Sequence, residues 1–450
     1  MGTCYSADFD FDVELVEKVI ANMKRGKAPG FDGITAEHLQ YCHPAICVFL
    51  TRLFNFMMQY SCIPDDFGLT YTVPLPKNSY SSFNKPVTVD DFRGISISQV
   101  LSKVFERCIL NRYEKFFVTS DNQFGFKPGL GCSNAIYTVK SVVDAYTASG
   151  STVSLCALDV KKAFDKVNRY GLFLKLMDRK APVNLLLLLE QWFNISVTCV
   201  RWGEAFSEFF TVICGVRQGG VLSPYLFAIY VNDIVKKINR SGLGCSLGLQ
   251  CISVILYADD ILLLAPSVES LQKLLTLVEV ELCDLDMALN TAKSVCLRYG
   301  PRYMNVCNNL VSITGDEISW VSTCRYLGVW FSASRQFKCD YSHTKKSFYS
   351  AVNAIFGKVL RLASEETVLH LISSKCMPIL LYGLDVCPVS AADLRSFDFA
   401  QTRLLMKLFK TGSIDIVNEC RMMFGVRTVS DLIQSRKCRF LVKFLEKAII

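Results

Sequence analysis

The sequence lacks the features of several protein classes. Its 450 residues contain no run of 18 consecutive apolar residues, about the length that a membrane-spanning helix requires. The N-terminal MGTCYSADFD has no charged segment followed by an apolar one, so it does not resemble a secretory signal. The twenty cysteines include no pair at C-x-x-C spacing, which disfavours zinc knuckles and favours free thiols in a reducing compartment. These absences predict an intracellular protein, nuclear or cytoplasmic, with no membrane partner.

Charge is scarce and unevenly distributed. Charged residues make up 20% of the chain and hydrophobic residues 51%, so the chain can bury a large core and is not expected to be disordered. The net charge is +8, and residues 341–450 alone contain 16 basic and 9 acidic residues. A basic segment of this kind indicates either an anionic partner, such as a nucleic-acid backbone, or a solvated helical surface.

The stretch VILYADDILLL, residues 254–264, holds two adjacent carboxylates between two apolar runs. The runs predict two buried strands joined by a tip that carries Asp259 and Asp260. A divalent cation would relieve the repulsion and lost hydration of two such anions, although an exposed turn is the alternative for the pair taken alone.

A third carboxylate, Asp159, ends another apolar strand, in LDVKKAFD. If that strand pairs with the one at Val254–Leu256, all three carboxylates lie at one sheet edge. Three carboxylates suit two Mg²⁺ ions, with Mn²⁺ as the alternative, and in-line nucleotidyl transfer.

Apolar periodicity predicts an α+β protein. Helices are predicted at 12–25, 36–59, 99–117, 133–147, 172–200, 224–238, 267–289 and throughout the segment after Cys339. Strands are predicted at 69–76, 93–98, 152–160, 254–256, 261–264, 294–299 and within 313–331, with a hairpin at 205–214 around Ser207-Glu208. The order strand, helix, hairpin, helix, strand from Thr152 to Tyr299 is a split β-α-β pattern.

Three motifs together resemble those of reverse transcriptases in order and spacing: LD…AFD (158–165), GVRQGGVLSPYLF (215–227) and YADD (257–260). Further segments are similar to the non-LTR (LINE-type) retrotransposon subgroup: KAPGFDGI (27–34), VPLPK (73–77), FRGIS (92–96), QFGFKPG (123–129), LNTAKS (289–294) and YLGV (326–329). The resemblance extends from about Phe11 to Tyr382.

This resemblance implies a right-hand polymerase fold. The fingers are expected over 1–150, with an N-terminal helical extension, and the palm, with its split β-α-β sheet and catalytic carboxylates, over 151–335. Part of 171–215 is assigned to either the palm or the fingers. A basic helical thumb is expected over 336–450. It is expected to be truncated, since the sequence stops inside an amphipathic pattern; an element fragment or a domesticated copy would explain this.

The implied activity is RNA-directed DNA synthesis from dNTPs on an RNA template and a DNA primer. Asp159, Asp259 and Asp260 correspond to the metal-binding catalytic carboxylates, and Lys293 to a catalytic residue that gives a proton to pyrophosphate. The positions that match nucleotide-binding residues are Lys77 and Arg93 at the triphosphate, Phe164 as a steric gate against a ribose 2′-hydroxyl, and Gln218 and Gly219 beneath the template–nucleotide pair. The alternatives are a core role for Phe164 and surface roles for the three cations.

Other positions match nucleic-acid contacts. Tyr326, Leu327 and Gly328 resemble the hairpin that holds the primer end, and Tyr382-Gly383 matches a short thumb signature. The thumb cations expected at the template–primer backbone are Lys345, Lys346, Lys358, Arg361, Arg403, Lys407, Lys410, Arg436, Lys437 and Arg439.

Three other functions stay open at this point. A retroelement-derived RNA-binding protein without activity is disfavoured by the intact carboxylates. An RNA-dependent RNA polymerase is disfavoured by Phe164 and by YADD in place of GDD. A non-enzymatic structural protein leaves the carboxylate cluster unexplained. The sequence does not indicate the oligomeric state.

Overall fold

The computed structural model describes residues 10–77, 87–359 and 362–448. The chain forms two compact units, each assembled from three separate stretches. The first unit comprises Met1–Phe126, Val160–Lys237 and Val278–Leu289, and the second Lys127–Asp159, Ile238–Leu277 and Asn290–Ile450. No helix in the described ranges has both the length and the apolar character needed to cross a membrane. The boundaries of fingers, palm and thumb stay a prediction.

The helices of the described residues account for most of the predicted helical segments. Their bounds are α1 Val13–Ala21, α2 Ala36–Tyr41, α3 Ala45–Tyr60, α4 Asp65–Gly68, α5 Val100–Arg112, α6 Cys132–Ala148, α7 Arg169–Asp178, α8 Val183–Asn194, α9 Ser223–Ser241, α10 Val268–Asp284, α11 Ser342–Val359, α12 Glu365–Leu371, α13 Met377–Leu380, α14 Ala391–Phe409, α15 Ile414–Met423 and α16 Val429–Ala448. Short 3₁₀ turns occupy Val89–Asp91, Glu114–Phe116 and Ala163–Lys166, and a π-turn Ile372–Cys376.

The strands are short, and several have only two residues. Their bounds are β1 Leu69–Pro76, β2 Phe92–Ser98, β3 Val153–Leu158, β4 Val197–Trp202, β5 Ala205–Phe206, β6 Phe210–Thr211, β7 Ser246–Leu247, β8 Gln250–Cys251, β9 Val254–Tyr257, β10 Asp260–Ala265, β11 Val295–Tyr299, β12 Leu310–Val311, β13 Glu317–Ile318, β14 Thr323–Tyr326, β15 Val329–Ser332 and β16 Cys339–Asp340.

Two predicted helices are wrong in part. The helix predicted over 36–59 is divided into α2 and α3, because Pro44 has no N–H to donate and its ring cannot lie inside a helix. The helix predicted over 172–200 is divided into α7 and α8, with Pro182 directly before α8, and it ends early, since Val197–Val200 belong to β4. The β-branched Val197, Thr198 and Val200 favour a strand, and β4 pairs in parallel with β1.

The hairpin predicted around Ser207-Glu208 is also wrong. The strand turns instead at Gly203-Glu204, and β5 and β6 both pair with β4. Ser207 lies between β5 and β6, where its hydroxyl accepts a hydrogen bond from the N–H of Val200 at 2.9 Å. The polar pair therefore marks the interruption between two short strands and not the tip of the hairpin.

The first unit contains a sheet with the strand order β2-β1-β4-β5, with β6 also paired to β4. The β1–β2 pair is antiparallel and pairs Leu75 with Arg93. Because β1 ends at Pro76, this register brings Lys77 and Arg93 to the same end of the sheet.

The second unit contains the sheet that carries the acidic motifs, with the order β11-β3-β10-β9. All its neighbours are antiparallel, and β3 lies between β10 and β11. The predicted pairing of the strand before Asp159 with Val254–Leu256 is wrong, because β3 pairs with β10. β10 lies between β3 and β9, and its residues Ile261–Ala265 are all buried, as expected for an interior strand. β9 lies at the edge of the sheet.

Candidate active site

The Asp pair lies at the tip of the β9–β10 hairpin, as predicted. Tyr257 pairs with Asp260, so Ala258 and Asp259 form the turn between the strands. Both aspartates are exposed, whereas Val254–Leu256 and Ile261–Ala265 are buried. Ala258 has a φ of 58°, which is uncommon for a residue with a Cβ. A positive φ at such a residue costs on the order of 1–3 kcal/mol. It persists where the surrounding structure holds the residue in place, often at a functional site.

Strand register brings the third carboxylate to this tip. Ile261 of β10 pairs with Leu158, the last residue of β3, so Asp159 and Asp260 are the residues next to this pair at one end of the two strands. Cα atoms at facing positions of antiparallel strands are about 4.5–5.5 Å apart. With Leu158 and Ile261 at such facing positions, Asp159 and Asp260 lie next to them at the same end of the sheet, and Asp259 is one residue away on the turn.

These carboxylates suit a hard cation in their chemistry. They offer oxygen donors only, which Mg²⁺ prefers. In the part of the chain that the structure describes, no three His, Cys, Asp or Glu side chains are already grouped as a metal site. Metal binding by Asp159, Asp259 and Asp260 therefore stays a prediction.

The segment that follows α10 holds Asp159. The Asn290 side-chain amide donates to the Asp159 carboxylate at 3.0 Å. The exposed Lys293 lies in the same segment, and its main-chain N–H donates to the Asn290 carbonyl at 3.0 Å. The segment LNTAKS is similar to a family motif in which only Lys293 was expected to have a role. The role of Asn290 was therefore not predicted from the sequence.

Phe164 belongs to the first unit and is half-buried in the 3₁₀ turn Ala163–Lys166. Its ring stacks on Phe227 with centroids 4.6 Å apart and planes 13° apart. Its carbonyl accepts a hydrogen bond from the Val216 N–H at 2.9 Å. The ring is thus supported from behind by α9, which a gate requires and which also suits a core residue.

Gln218 and Gly219 lie in a loop attached to β2. The Ser96 N–H donates to the Gln218 carbonyl at 2.7 Å, and the Gln218 side chain donates to the Asp165 carboxylate at 3.2 Å. A Cβ on Gly219 would lie 2.3 Å from the Ser96 carbonyl oxygen, and φ there is 128°. Glycine is therefore required for the loop to approach β2 this closely.

Replacing Gly219 by Ala should displace this loop, since a contact of 2.3 Å with a main-chain oxygen cannot persist. We expect the free energy of unfolding to fall by about 1–3 kcal/mol, measured by urea denaturation. Gly412→Ala is the matched control, because nothing lies within 4 Å of a Cβ there. Equal stability of the two variants would show that Gly219 does not approach Ser96 as described.

The two cations predicted at the triphosphate lie on one exposed end of the β1–β2 pair. The main-chain N–H of Lys77 donates to the Asp91 carbonyl at 2.8 Å, which sets Lys77 diagonal to Arg93 on the same face. The Lys77 ammonium donates to the Asp90 carbonyl at 2.6 Å, and the Lys162 ammonium lies 2.9 Å from the Asp90 carboxylate. Lys77 and Lys162 thus both contact Asp90 at this corner, and Arg93 lies diagonal to Lys77.

Sequence reasoning missed a buried charged pair behind the Gln218 loop. Glu106 on α5 accepts hydrogen bonds from the N–H groups of Val221 and Leu222 at 2.5 and 2.6 Å. Burial raises the pKa of Glu106, while those hydrogen bonds and the charge of Arg217 oppose the rise. Burial lowers the pKa of Arg217 to about 10. The sequence did contain one indication of this charged pair, because Glu106 lies on the otherwise apolar face of the helix predicted over 99–117.

Arg217 anchors the other end of the same loop. Its guanidinium donates to the carbonyls of Phe67 and Gly68 at 3.1 and 3.0 Å and to the Ser196 hydroxyl at 2.8 Å. Glu106 and Arg217 therefore hold the main chain on both sides of Gln218 and Gly219.

The residues that resemble the primer grip form a tight hairpin between β14 and β15. Tyr326 pairs with Val329, and Leu327 and Gly328 have φ angles of 44° and 82°, as in a type I′ turn. The Tyr382 hydroxyl donates to the Leu327 carbonyl at 2.8 Å. A Cβ on Gly328 would lie 2.8 Å from the Tyr382 ring, so these two predicted motifs contact each other.

Tyr326 places a buried hydroxyl near the acidic tip. The residue is 3% exposed, and its hydroxyl has no hydrogen-bond partner among the described residues. Burial raises the pKa of Tyr326 well above its usual value, and the charge of Asp260 adds to the rise. The Tyr326 phenol is therefore harder to ionise than that of an exposed tyrosine.

The predicted thumb cations divide into groups. Arg403, Lys407 and Lys410 are exposed along and just after α14, at spacings that put the first two on one face. Lys345 is half-buried, because its ammonium donates to the Ser396 hydroxyl at 3.0 Å. The other exposed candidates are Lys346, Lys358, Arg436, Lys437 and Arg439. Arg361 lies outside the described residues.

The family model described as reverse transcriptase (RNA-dependent DNA polymerase) matches residues 75–331, more than half of the chain. The RNA-directed DNA polymerase from mobile element jockey of Drosophila funebris is 25% identical over 420 residues, which cover 88% of this chain and 43% of that protein. The Pol polyprotein from type-2 retrotransposable element R2DM of Drosophila melanogaster is 25% identical over 320 residues, or 70% of this chain and 29% of that protein. The chain thus spans less than half the length of these curated relatives. A telomerase structure from Candida albicans aligns with a TM-score of 0.44 at 11% identity, over 84% of this chain and 68% of that chain.

Proposed function

Because the chain belongs to the reverse transcriptase (RNA-dependent DNA polymerase) family, we propose that it extends a DNA primer with dNTPs on an RNA template. Family membership confirms the predicted fold class, an α+β right-hand polymerase, and the relatives confirm the resemblance to LINE-type retrotransposon enzymes. The observation that supports the proposal is the β3–β10 register, which pairs Leu158 with Ile261, so that the next residue of one segment, Asp159, and the preceding residue of the other, Asp260, both adjoin this pair.

In the proposed reaction the primer 3′-oxygen bonds to the α-phosphorus of the dNTP, and the bond from that phosphorus to pyrophosphate breaks. Asp159, Asp259 and Asp260 would hold two divalent cations, Mg²⁺ or Mn²⁺. Cations bound there supply activation of the 3′-hydroxyl and neutralisation of the leaving pyrophosphate. The Lys293 ammonium would give a proton to that leaving group.

The first unit would bind the nucleotide. The exposed Lys77 and Arg93 lie diagonally on one sheet face, where an ammonium and a guanidinium match the charge of a triphosphate. Phe164, supported by Phe227, would exclude a ribose 2′-hydroxyl. Gln218 and Gly219, held by Ser96, would support the template–nucleotide pair.

The second unit would hold the nucleic acid. The Tyr326–Val329 turn would contact the primer end, and the exposed cations on α14 would contact backbone phosphates. Such phosphate contacts are independent of sequence and weaken with salt.

The direct test is primer extension with the 450-residue chain on poly(rA)/oligo(dT) in the presence of Mg²⁺. We expect incorporation of dTTP, loss of incorporation with EDTA and its return with excess Mg²⁺ or Mn²⁺. Equal incorporation of UTP would favour an RNA polymerase. Binding of the template–primer without any extension would favour an inactive RNA-binding relic.

A further inference from the structure

A set of hydrogen bonds holds Asp159 at the end of β3. The Asn290 N–H donates to the Asp159 carbonyl at 2.7 Å, and its side-chain amide donates to the Asp159 carboxylate at 3.0 Å. The Asp159 N–H in turn donates to the Ser294 hydroxyl at 3.2 Å, and that hydroxyl donates to the Asn290 carbonyl at 2.9 Å. Both main-chain polar groups of Asp159 and one carboxylate oxygen are therefore held by residues 290–294.

The side-chain contact exceeds what the fold needs. The main-chain bond from Asn290 to Asp159 and the Val160–Leu289 bridge beside it already join the two segments, and any residue at position 290 would retain the main-chain bond. Asp159 is half-exposed, so water can solvate its carboxylate without the hydrogen bond from the Asn290 amide.

The contact has a defined chemical effect. The amide donates to Oδ2 of Asp159, which restricts rotation of the carboxylate and leaves Oδ1 without this donor. Outer-shell donors of this kind orient ligating groups, and their loss typically costs about 10–100-fold in metal affinity or activity.

We propose that Asn290 is the positioning residue for Asp159, fixing this carboxylate so that Oδ1 is presented to a divalent cation. The proposal rests on the proposed function. The turn that supplies Asn290 also holds the main chain of Lys293, so one short segment positions both the acid and the predicted proton donor.

The test compares Asn290→Ala and Asn290→Asp with two controls. Asn309→Ala removes an equivalent amide-to-carboxylate bond, from Asn309 to Glu317 at 2.7 Å, in the same unit. Ser294→Ala removes a main-chain contact of Asp159 but leaves the amide donor in place. The readouts are Mn²⁺ affinity by electron paramagnetic resonance, without substrate, and the kcat and KM for dTTP.

We expect Asn290→Ala to weaken Mn²⁺ binding and lower kcat by about 10–100-fold, with KM for dTTP within about twofold of wild type. Asn290→Asp should lower kcat further, since it replaces the donor with a like charge. Asn309→Ala should retain wild-type values, and Ser294→Ala should retain Mn²⁺ affinity.

Wild-type Mn²⁺ affinity in both Asn290 variants would overturn the proposal, as would an equal loss in Asn309→Ala. Both Asn290 variants keep the main-chain hydrogen bond from position 290 to Asp159, so we expect them to fold. Thermal melting of each variant checks this. If wild type fails to extend a primer, the proposed function fails, and the Mn²⁺ measurement still decides the role of Asn290. If wild type extends and Asn290→Ala matches it, only the positioning role fails.

Discussion

Replacing Asp259 by Asn should abolish primer extension, with a loss of about 10³-fold or more in kcat. The substitution keeps the shape of the exposed turn after Ala258 but removes one of the charges that would hold the cations. A metal site contributes several kcal/mol to the stabilisation of the transition state, and each 1.36 kcal/mol corresponds to about a factor of ten in rate.

The same variant should bind template–primer as wild type does, because the cations on α14 that we propose contact backbone phosphates are unchanged. Asp415→Asn, at an exposed aspartate in the first turn of α15, is the matched control and should extend normally. Extension at the wild-type rate by Asp259→Asn would falsify the proposed mechanism.

Replacing Phe164 by Val should reduce discrimination against ribonucleotides. The half-buried ring would be replaced by a smaller side chain, which leaves space for a 2′-hydroxyl beside the surface that Phe227 supports. We expect the ratio of kcat/KM for dTTP to that for UTP to fall by about 10–100-fold, because steric exclusion at one position contributes about 1–3 kcal/mol.

This ratio is informative because it does not depend on the fraction of enzyme that is folded, since both nucleotides report on the same molecules. Phe56→Val is the control: Phe56 is exposed in the same unit, and its ring is paired with Tyr60 at 4.5 Å. It should leave the ratio unchanged. If Phe164→Val also leaves it unchanged, Phe164 is a core residue and another group selects the sugar.

The sequence predicted the elements that local pattern determines. The apolar runs around Asp259 and Asp260 predicted β9 and β10, whereas the hairpin at Leu327-Gly328 was expected only from the family resemblance of YLGV. The pairing of β3 could not be read this way, because β9 and β10 are both short and apolar and only the completed sheet shows which is interior.

Polar residues inside otherwise ordinary segments were the least predictable. Glu106 was hidden in an apolar helical pattern, because its partners, the N–H groups of Val221 and Leu222, are far away in sequence. Asn290 lies in the segment LNTAKS, in which the family resemblance indicated a role for Lys293 only. Pro44, by contrast, was visible in the sequence, and the break it makes between α2 and α3 follows from its chemistry.

The hydrogen bond from Tyr382 to Leu327 has a consequence for how the chain is made. The two residues are 55 positions apart, so a ribosome adding about 5–20 residues per second separates their emergence by roughly 3–11 s. During that interval the turn at Leu327-Gly328, strained at Leu327, exists in the nascent chain without its anchor. The hairpin therefore reaches its final form only after the turn that contains Tyr382, which directly follows α13, has left the exit tunnel.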